Sequence, residues 1–318
     1  MIARLLKMLL VLQLLAVAGL WYMARTSWQI EQTAAALLLG VGAVILFRML
    51  ISGHNFWHSW RGGSPTPSQF RPTQAQRLRL AAGEFAASML SSSWHMAWPK
   101  PGLHLVPGAR SMPVLLLHGY GCNGGYWAKL GQRLRQAGVG YQALDMELAP
   151  DASLDDYVPL VRRAINDLCV NSGSARVVIV AHSMGGLVAR AYLRQHGTDQ
   201  VARVITLGTP HHGTRLASFG YGLNAQQMRR GAAGPSAWLL ALDEAEDEQR
   251  RALFTSIFSH HDNIVVPQTS SYLAGAKNIE FGAIGHVALG SDARIVQCVL
   301  DEIALASAAA PAPLAAAG

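Results

Sequence analysis

An apolar run that ends at a serine restricts the fold of this chain more than any other feature. Residues 177–181, Val-Val-Ile-Val-Ala, are typical of a buried β-strand, and residues 184–196 have the composition of a helix. A strand that turns sharply into a helix at Ser183 would present the serine hydroxyl where a base can activate it as a nucleophile. Glycine usually stands two residues before such a serine, and this chain has Ala181 there. Alone, the motif also fits an ordinary strand-turn-helix joint.

The sequence around this motif alternates short apolar strands with helices. Repeated alternation of this kind predicts an α/β fold with a mostly parallel sheet covered by helices on both faces. In such a sheet, ligands bind at the carboxyl ends of the strands. The predicted strands are 113–117, 140–148, 176–181, 204–207, 253–258 and 279–284, and the predicted helices are 126–137, 153–170, 184–196 and 292–307.

A glycine-rich loop follows the first of the buried strands. It reads His118-Gly119-Tyr120-Gly121, and glycine allows a backbone to approach a reacting carbonyl closely. An acyl-transfer site needs two preorganised N–H donors for the negative oxygen of its intermediate, one in such a loop and one after the nucleophile. We therefore predict the backbone N–H groups of Tyr120 and Met184 as the oxyanion hole.

An acid and a base follow the serine in the chain, each directly after a predicted strand. Asp262 is the candidate acid and His286 the candidate base, so that Asp262 would orient the imidazole and His286 would take the proton of Ser183. The order Ser, Asp, His agrees with the α/β-hydrolase pattern. His260 and His261 remain rival candidates for the base, because they lie in the same loop as the acid.

Other polar residues near these motifs have structural interpretations. His182 precedes the candidate nucleophile and points away from it in such a turn, so we interpret it as a packing residue. His118 is expected to support the glycine-rich loop by hydrogen bonding. The acidic run at residues 243–248 is interpreted as a solvated helix face.

Together these segments resemble the bacterial triacylglycerol lipases of the α/β-hydrolase superfamily. The resemblance rests on residues 113–125, 181–186 and 207–214, the Asp262 loop and His286, and Thr-Pro-His-His-Gly-Thr at 209–214 is its most specific part. It covers residues 103–307 and implies an α/β-hydrolase fold with a lid or cap insertion at 211–251. It also implies cleavage of carboxylic esters, with lipid or acylglycerol substrates, through an acyl-enzyme.

The residues leave other functions open, because the fold does not fix the substrate. The same triad chemistry serves thioesterases, acyltransferases and hydrolases of small soluble esters. From a different class, the chain could be a catalytically silent membrane scaffold, although a complete Ser, Asp and His set speaks against this.

The sequence gives no basis for a cofactor or a metal. Secreted lipases of the resembled type often carry a calcium ion and a disulfide, and neither is expected here. Cys122, Cys169 and Cys298 cannot form a fully paired set and lack metal-ligand spacing. Unreactive or buried thiols are the default interpretation.

Two apolar stretches at the N-terminus explain the positive mean hydropathy of +0.20. Residues 8–23 and 33–51 each approach the roughly 20 residues that cross a bilayer, with Trp21, Tyr22 and Trp28 near the short connector. They predict a transmembrane helical hairpin over residues 1–52. A signal peptide or a single anchor is the alternative for the first stretch, and the second stretch argues against simple secretion.

Basic residues are concentrated in the same region. The first 80 residues contain eight basic residues and one acid, and the remainder is balanced at eighteen against eighteen, so the N-terminal region carries the whole net charge of +7. This distribution favours anionic lipid headgroups and places the catalytic domain on the cytoplasmic side of a bacterial-type inner membrane. It gives no compact basic and aromatic groove, so nucleic acid is not expected as a partner.

These features divide the chain into four predicted segments. The hairpin at 1–52 is followed by a basic linker and connecting helix at 53–102, in which residues 73–90 have helical spacing of apolar side chains. The catalytic domain follows at 103–307, and residues 308–318 form a tail rich in alanine and proline that is predicted to be disordered.

Overall fold

The computed structural model describes residues 1–100, 102–147 and 151–309 of the chain. It begins with two long helices, α1 (Ile2–Thr26) and α2 (Thr33–Gly62), packed against each other. A side chain at Gly40 would lie 2.8 Å from the carbonyl oxygen of Val17, so glycine permits this close packing. Most of their apolar side chains face outward, and both helices are long and apolar enough to cross a membrane.

The second helix is longer than the sequence predicted. The turn signals after residue 52 favoured a linker, but α2 continues through His54 and Trp57 to Gly62. The reason is tertiary, because this extension packs on the rest of the chain, where Ser59 is buried. Local turn preference is weak compared with such burial.

A connecting helix lies close to the predicted position. Thr73 caps α3 (Gln74–Leu90) in a reciprocal capping box with Gln76, which fixes the start of the helix. A single π-helical turn, Ser91–His95, follows it.

The rest of the described chain folds around a seven-stranded sheet. The strands are β1 (Leu103–His104), β2 (Val114–Leu117), β3 (Tyr141–Leu144), β4 (Val177–His182), β5 (Val201–Leu207), β6 (Arg230–Gly231), β7 (Gly234–Pro235), β8 (Phe254–Ser259) and β9 (Lys277–Phe281), of which β6 and β7 form a separate hairpin. The order in the sheet is β1-β3-β2-β4-β5-β8-β9, and neighbouring strands are parallel, except that β1 runs antiparallel to β3.

Helices cover both faces of the sheet, which confirms the predicted fold class. The helices after α3 are α4 (Ala128–Gln136), α5 (Val158–Ser172), α6 (Met184–His196), α7 (Leu223–Gln227), α8 (Ala237–Glu244), α9 (Glu248–Ala252) and α10 (Ala293–Ala308), of which α4, α5, α6 and α10 pack on the sheet. The helix after Ser183 has the predicted bounds, whereas β1 and the β6–β7 hairpin were missed. Strands this short carry little sequence signal.

Alternate side chains of the strands form two apolar cores. Leu115 and Ile179 face the core shared with α5 and α6, and Leu116 and Val178 face the core shared with α4 and α10. All six residues of β4 are buried. Because burial of one such aliphatic side chain stabilises a fold by about 1.5–3 kcal/mol, these two layers hold the sheet rigid beneath the strand ends.

The segment at 211–251 carries the short elements α7, β6, β7, α8 and α9, but the interpretation of its acidic run as a solvated face was wrong in part. The side chain of Glu246 is 2 % exposed and pairs with buried Arg190 of α6 at 2.7 Å. Asp243 contacts Arg190 and Arg251. A charge beneath the surface requires such partners. Of the predicted disordered tail, residues 310–318 lie outside the described part of the chain, and α10 extends to Ala308.

Candidate active site

Ser183 lies at the sharp turn between β4 and α6. Its backbone adopts φ 55° and ψ −122°, a conformation that is uncommon for a residue with a side chain. Side chains at the next two positions would not fit: a Cβ at Gly185 would lie 2.5 Å from the Leu117 carbonyl oxygen, and one at Gly186 2.7 Å from Thr209 Cγ2. The two glycines therefore bring α6 close to the ends of β2 and β5. The methyl of Ala181 is buried within β4 without disturbing its pairing.

The structure brings Asp262 and His286 into direct contact. Asp262 Oδ2 accepts a hydrogen bond of 2.7 Å from His286 Nδ1, and both side chains are almost fully buried. The second carboxylate oxygen of Asp262 accepts the N–H groups of Ile264 and Val265, both at 2.8 Å. These bonds fix the carboxylate in one orientation. Because Nδ1 donates to it, Nε2 of neutral His286 is left as the basic nitrogen.

The pair of Asp262 and His286 lies beside the serine turn. The N–H of Ser183 donates to the carbonyl oxygen of Leu207 at the end of β5. The next residue, Gly208, lies against the pair, since a Cβ there would be 3.0 Å from Asp262 Oδ2 and 3.3 Å from His286 Nδ1. The ends of three neighbouring strands, β4, β5 and β8, therefore bring Ser183, Gly208 and Asp262 to one edge of the sheet.

Opposing effects act on the pKa of His286. Burial lowers the pKa of His286, but the charge and hydrogen bond of Asp262 and the charge of Glu84 together hold it above its ordinary value. An imidazolium at this position is thus stabilised by two carboxylates.

The neighbouring histidines are engaged elsewhere. His182 Nε2 donates to the His286 carbonyl oxygen at 3.1 Å, and its ring stacks on Tyr126 with centroids 4.3 Å apart. Burial lowers the pKa of His182 well below the ordinary value, so it packs as a neutral ring. His260 bonds Glu280, and His261 Nδ1 accepts the N–H of Ala283. Asp262 therefore meets His286 and neither of these rivals.

The predicted oxyanion donors flank the serine. Met184 is the first residue of α6, where a backbone N–H has no partner inside the helix. A Cβ at Gly119, next to Tyr120, would lie 3.0 Å from Ser183 Cβ, so the glycine-rich loop passes close to the serine. His118 shapes this loop, since Nδ1 donates to the Gly119 carbonyl oxygen and Nε2 accepts the N–H of Met146, both at 2.9 Å.

Exposed apolar side chains lie on the glycine-rich loop and on the segment that it contacts. The Tyr120 hydroxyl donates to the carbonyl oxygen of Tyr221 and accepts its N–H, which links the glycine-rich loop to the segment at 211–251. Tyr120, Phe219, Tyr221 and Leu223 are all exposed. Phe219 also lines a cavity of about 230 Å³, and none of Ser183, Asp262 and His286 is among its lining residues. The others are Trp57, His58, Arg61 and Gly62 of α2 together with Arg215, Leu216 and Val266.

Two residues that touch the site were missed by sequence reasoning. Ser59 of α2 contacts the Asp262 loop, and Glu84 of α3 contacts the residues after His286. Ser59 carried no visible signal. Glu84 carried one, since it is the only acidic residue in the sequence between Glu31 and Asp145.

Comparisons with known proteins agree with this architecture. A family model described as alpha/beta hydrolase fold matches residues 112–256. A triacylglycerol lipase of Pseudarthrobacter phenanthrenivorans is 30 % identical over 125 residues, covering 35 % of this chain and 37 % of that protein. A triacylglycerol lipase of Burkholderia plantarii is also 30 % identical over 125 residues, with coverage of 35 % and 33 %. The chain thus spans about a third of the length of these curated relatives.

Solved structures show the same fold. The mature form of Bacillus licheniformis lipase BlEst2 superposes with a TM-score of 0.55 at 17 % identity, covering 64 % of this chain and 99 % of that one. The propeptide form superposes with a TM-score of 0.54 at 20 % identity, covering 69 % and 56 %.

Proposed function

Because this chain carries a domain of the α/β-hydrolase fold, we propose that it is a serine hydrolase that cleaves carboxylic esters, with lipids or acylglycerols as substrates. The observation that carries the proposal is the 2.7 Å contact between Asp262 and His286 beside the turn at Ser183. A buried carboxylate, an oriented imidazole and a serine on a strained turn are the parts that nucleophilic acyl transfer needs.

The proposed reaction proceeds in two stages. His286 Nε2 removes the proton of Ser183 Oγ while Oγ attacks the acyl carbonyl carbon, and the resulting oxyanion accepts the N–H groups of Tyr120 and Met184. Collapse of this intermediate releases the alcohol, which takes the proton from His286 and leaves an acyl group on Ser183. Water, deprotonated by His286, then attacks the acyl carbon of the acyl-enzyme to form a second tetrahedral intermediate. Its collapse breaks the bond to Ser183 Oγ and releases the carboxylic acid, and Oγ takes the proton back from His286. Asp262 remains ionised throughout.

The preference for lipid substrates is supported by the surroundings of the site. Exposed Tyr120, Phe219, Tyr221 and Leu223 offer an apolar rim that suits an acyl chain. We assign the segment at 211–251 as the lid, because Tyr221 within it bonds the side chain of Tyr120. The two curated relatives are named triacylglycerol lipases, which agrees with this preference.

We propose that α1 and α2 anchor the enzyme in a bacterial-type inner membrane with the catalytic domain in the cytoplasm. Lys7 lies over the ring of Trp98 at 5.6 Å, and Leu6 packs against the core shared with α4 and α10. Arg48 bonds Ser92 and Ser93, so basic residues collect at the end of the hairpin that meets the domain. A cleaved signal peptide would lose the α1 contacts, which favours a retained helix.

Activity-based labelling tests the proposal. Membranes containing the wild type should react with a fluorophosphonate probe, and those containing Ser183→Ala or His286→Ala should not. His260→Ala is the matched control and should retain labelling. Labelling that persists in Ser183→Ala would overturn the nucleophile assignment, and no labelling of the wild type would favour a catalytically silent scaffold.

Two further assays separate the remaining alternatives. Acylglycerols and p-nitrophenyl esters of increasing chain length distinguish a lipase from a small-ester esterase, and acyl thioesters with and without an alcohol acceptor reveal a thioesterase or an acyltransferase. A C-terminal reporter that is active only in the periplasm would contradict the cytoplasmic placement.

A further inference from the structure

We infer that Glu84 is a positioning residue of the active site, whose carboxylate holds the backbone that follows His286 and stabilises the charge that develops on this base. The inference rests on the proposed hydrolase function. It assigns to α3, which lies outside the residues matched by the family model, a direct part in that reaction.

The contacts of Glu84 converge on the base. Glu84 Oε1 accepts the N–H of Val287 at 3.0 Å, and Oε2 accepts the N–H of Ala288 at 2.9 Å. These amides belong to the short 3-10 turn Val287–Gly290, which starts directly after His286. One carboxylate therefore accepts hydrogen bonds from two consecutive backbone amides next to His286. A shift of α3 would displace these amides and, with them, the imidazole.

The backbone before His286 is shaped to admit this carboxylate. A Cβ at Gly285 would lie 2.5 Å from Glu84 Cδ, far inside van der Waals contact. Glu84 reaches the two amides only because residue 285 has no side chain. The absence of a side chain at Gly285 thus leaves the space that the Glu84 carboxylate occupies next to His286.

Burial makes an ionised carboxylate at Glu84 energetically costly. The residue is 2 % exposed, and burial raises the pKa of Glu84, while the two amide bonds and the charge of His286 oppose that rise. A buried carboxylate without a function in the site would be costly compared with an apolar residue of the same helix face. Two charge-assisted hydrogen bonds and the charge of His286 offset part of this cost. The negative charge of Asp262 adds to the effect of burial, so the pKa of Glu84 stays above its ordinary value.

Four titratable side chains of the described residues surround His286 and the backbone that follows it. Asp262 bonds its Nδ1, Glu84 lies beyond the two amides, neutral His182 packs 4.5 Å from its ring, and the Tyr126 hydroxyl bonds the Val287 carbonyl oxygen. Two of these four groups are acids, and their negative charge favours the imidazolium that forms when Ser183 is deprotonated. Asp262 acts through a direct bond, and Glu84 acts through position and charge.

The test compares purified full-length wild type with Glu84→Gln and with Glu280→Gln, the latter changing a glutamate whose carboxylate bonds the rival His260. We expect Glu84→Gln to lower kcat about 10-fold with little change in KM, since positioned general-base catalysis contributes roughly 10²–10⁴-fold in total. In the pH profile of kcat/KM, the fall in rate on the acidic side (the acidic limb) should also move to lower pH, because a negative charge that favours protonated His286 is lost. Glu280→Gln should leave both unchanged.

A second variant separates this role from general stability. Gly285→Ala keeps the carboxylate but displaces it, and it should reproduce the fall in kcat even where Glu84→Gln folds poorly. A fall in kcat without movement of the acidic limb in Glu84→Gln would reduce Glu84 to a structural residue and overturn the inference, as would unchanged kinetics. Failure of the proposed function itself is distinguishable, because the wild type would then be inactive or Ser183→Ala would still react with fluorophosphonate.

Discussion

Ser59 and Asp262 are joined by a hydrogen bond of 2.8 Å, from the serine hydroxyl to the main-chain carbonyl oxygen, although 203 positions separate them. Gln268 Nε2 bonds the same carbonyl oxygen at 2.9 Å and Ser59 Oγ at 2.7 Å. The helix proposed to span the membrane therefore ends against the loop that supplies the acid. The proposed anchor and the candidate active site therefore share one element.

Removal of this bond should weaken both the fold and the reaction. Ser59→Ala leaves the buried amide of Gln268 with one partner fewer, and we expect a loss of about 1 kcal/mol in the free energy of unfolding. Activity should fall because the Asp262 loop gains freedom. Thermal unfolding and kcat of detergent-purified protein measure the two effects. Ser52→Ala on the same helix is the control, and an equal loss there would contradict a specific role for Ser59.

The fold was predictable where local pattern and tertiary structure agree. The run at 177–181 and the helix bounds at Met184–His196 follow from apolar periodicity and the glycines after Ser183. The extension of α2 to Gly62 was not predictable, because residues 52–55 carry local turn signals and the contacts that override them are distant in sequence. The burial of Glu246 was missed for a related reason, because its partner Arg190 lies 56 positions away in the chain.

The candidate site, like the fold, was predictable from the sequence only in part. Ser183, Asp262 and His286 stand at strand ends, where residue type and chain order predict chemistry. Glu84 has no such context, because its partners Val287 and Ala288 contribute only backbone amides, which have no residue signature. Whether Tyr120 and Met184 bind an oxyanion stays a prediction.

The pH dependence of catalysis should reflect the carboxylate of Asp262. The pKa of His286 is held above its ordinary value, and only the unprotonated base takes a proton, so kcat/KM should fall as pH drops through this raised pKa. Asp262→Asn should move this acidic limb to lower pH and reduce kcat by about 10⁴-fold, by analogy with loss of the acid in other triads. Rate profiles over pH measure both, and a limb that stays in place would separate Asp262 from the base.

A side chain at Gly185 should disturb the serine turn. Its Cβ would lie 2.5 Å from the Leu117 carbonyl oxygen and 2.8 Å from that of His118, and backbone atoms in the sheet cannot move aside as a flexible side chain can. We expect Gly185→Ala to destabilise the fold by about 1–3 kcal/mol and to slow fluorophosphonate labelling. Gly83→Ala, which meets open space within α3, is the control. Normal labelling of Gly185→Ala would show that the turn tolerates the displacement.

The buried ion pair between Arg190 and Glu246 of the proposed lid should stabilise the fold more than an ion pair on the surface does. Arg190→Ala leaves Glu246 buried without its main partner and should cost about 3–5 kcal/mol of unfolding free energy. Arg250→Ala removes an exposed pair with Asp247 at 3.9 Å, and its effect should be about 0–0.5 kcal/mol. Denaturant titrations of both variants give the comparison, and similar losses would mean that the Arg190 pair is solvated.

A charge on the outward face of α2 should impair membrane insertion. Leu38 is 70 % exposed and lies within the apolar part of the helix, where an arginine costs about 2.5–3.5 kcal/mol at the bilayer centre. The wild type should remain in the membrane pellet after alkaline carbonate extraction, and Leu38→Arg should shift protein to the supernatant or reduce its amount in membranes. Val170→Arg, at an 81 % exposed site on α5 and outside the two proposed membrane helices, should behave as wild type. Extraction of the wild type by carbonate would mean that α1 and α2 lie on a surface instead of spanning the bilayer, and the proposed topology would then be wrong.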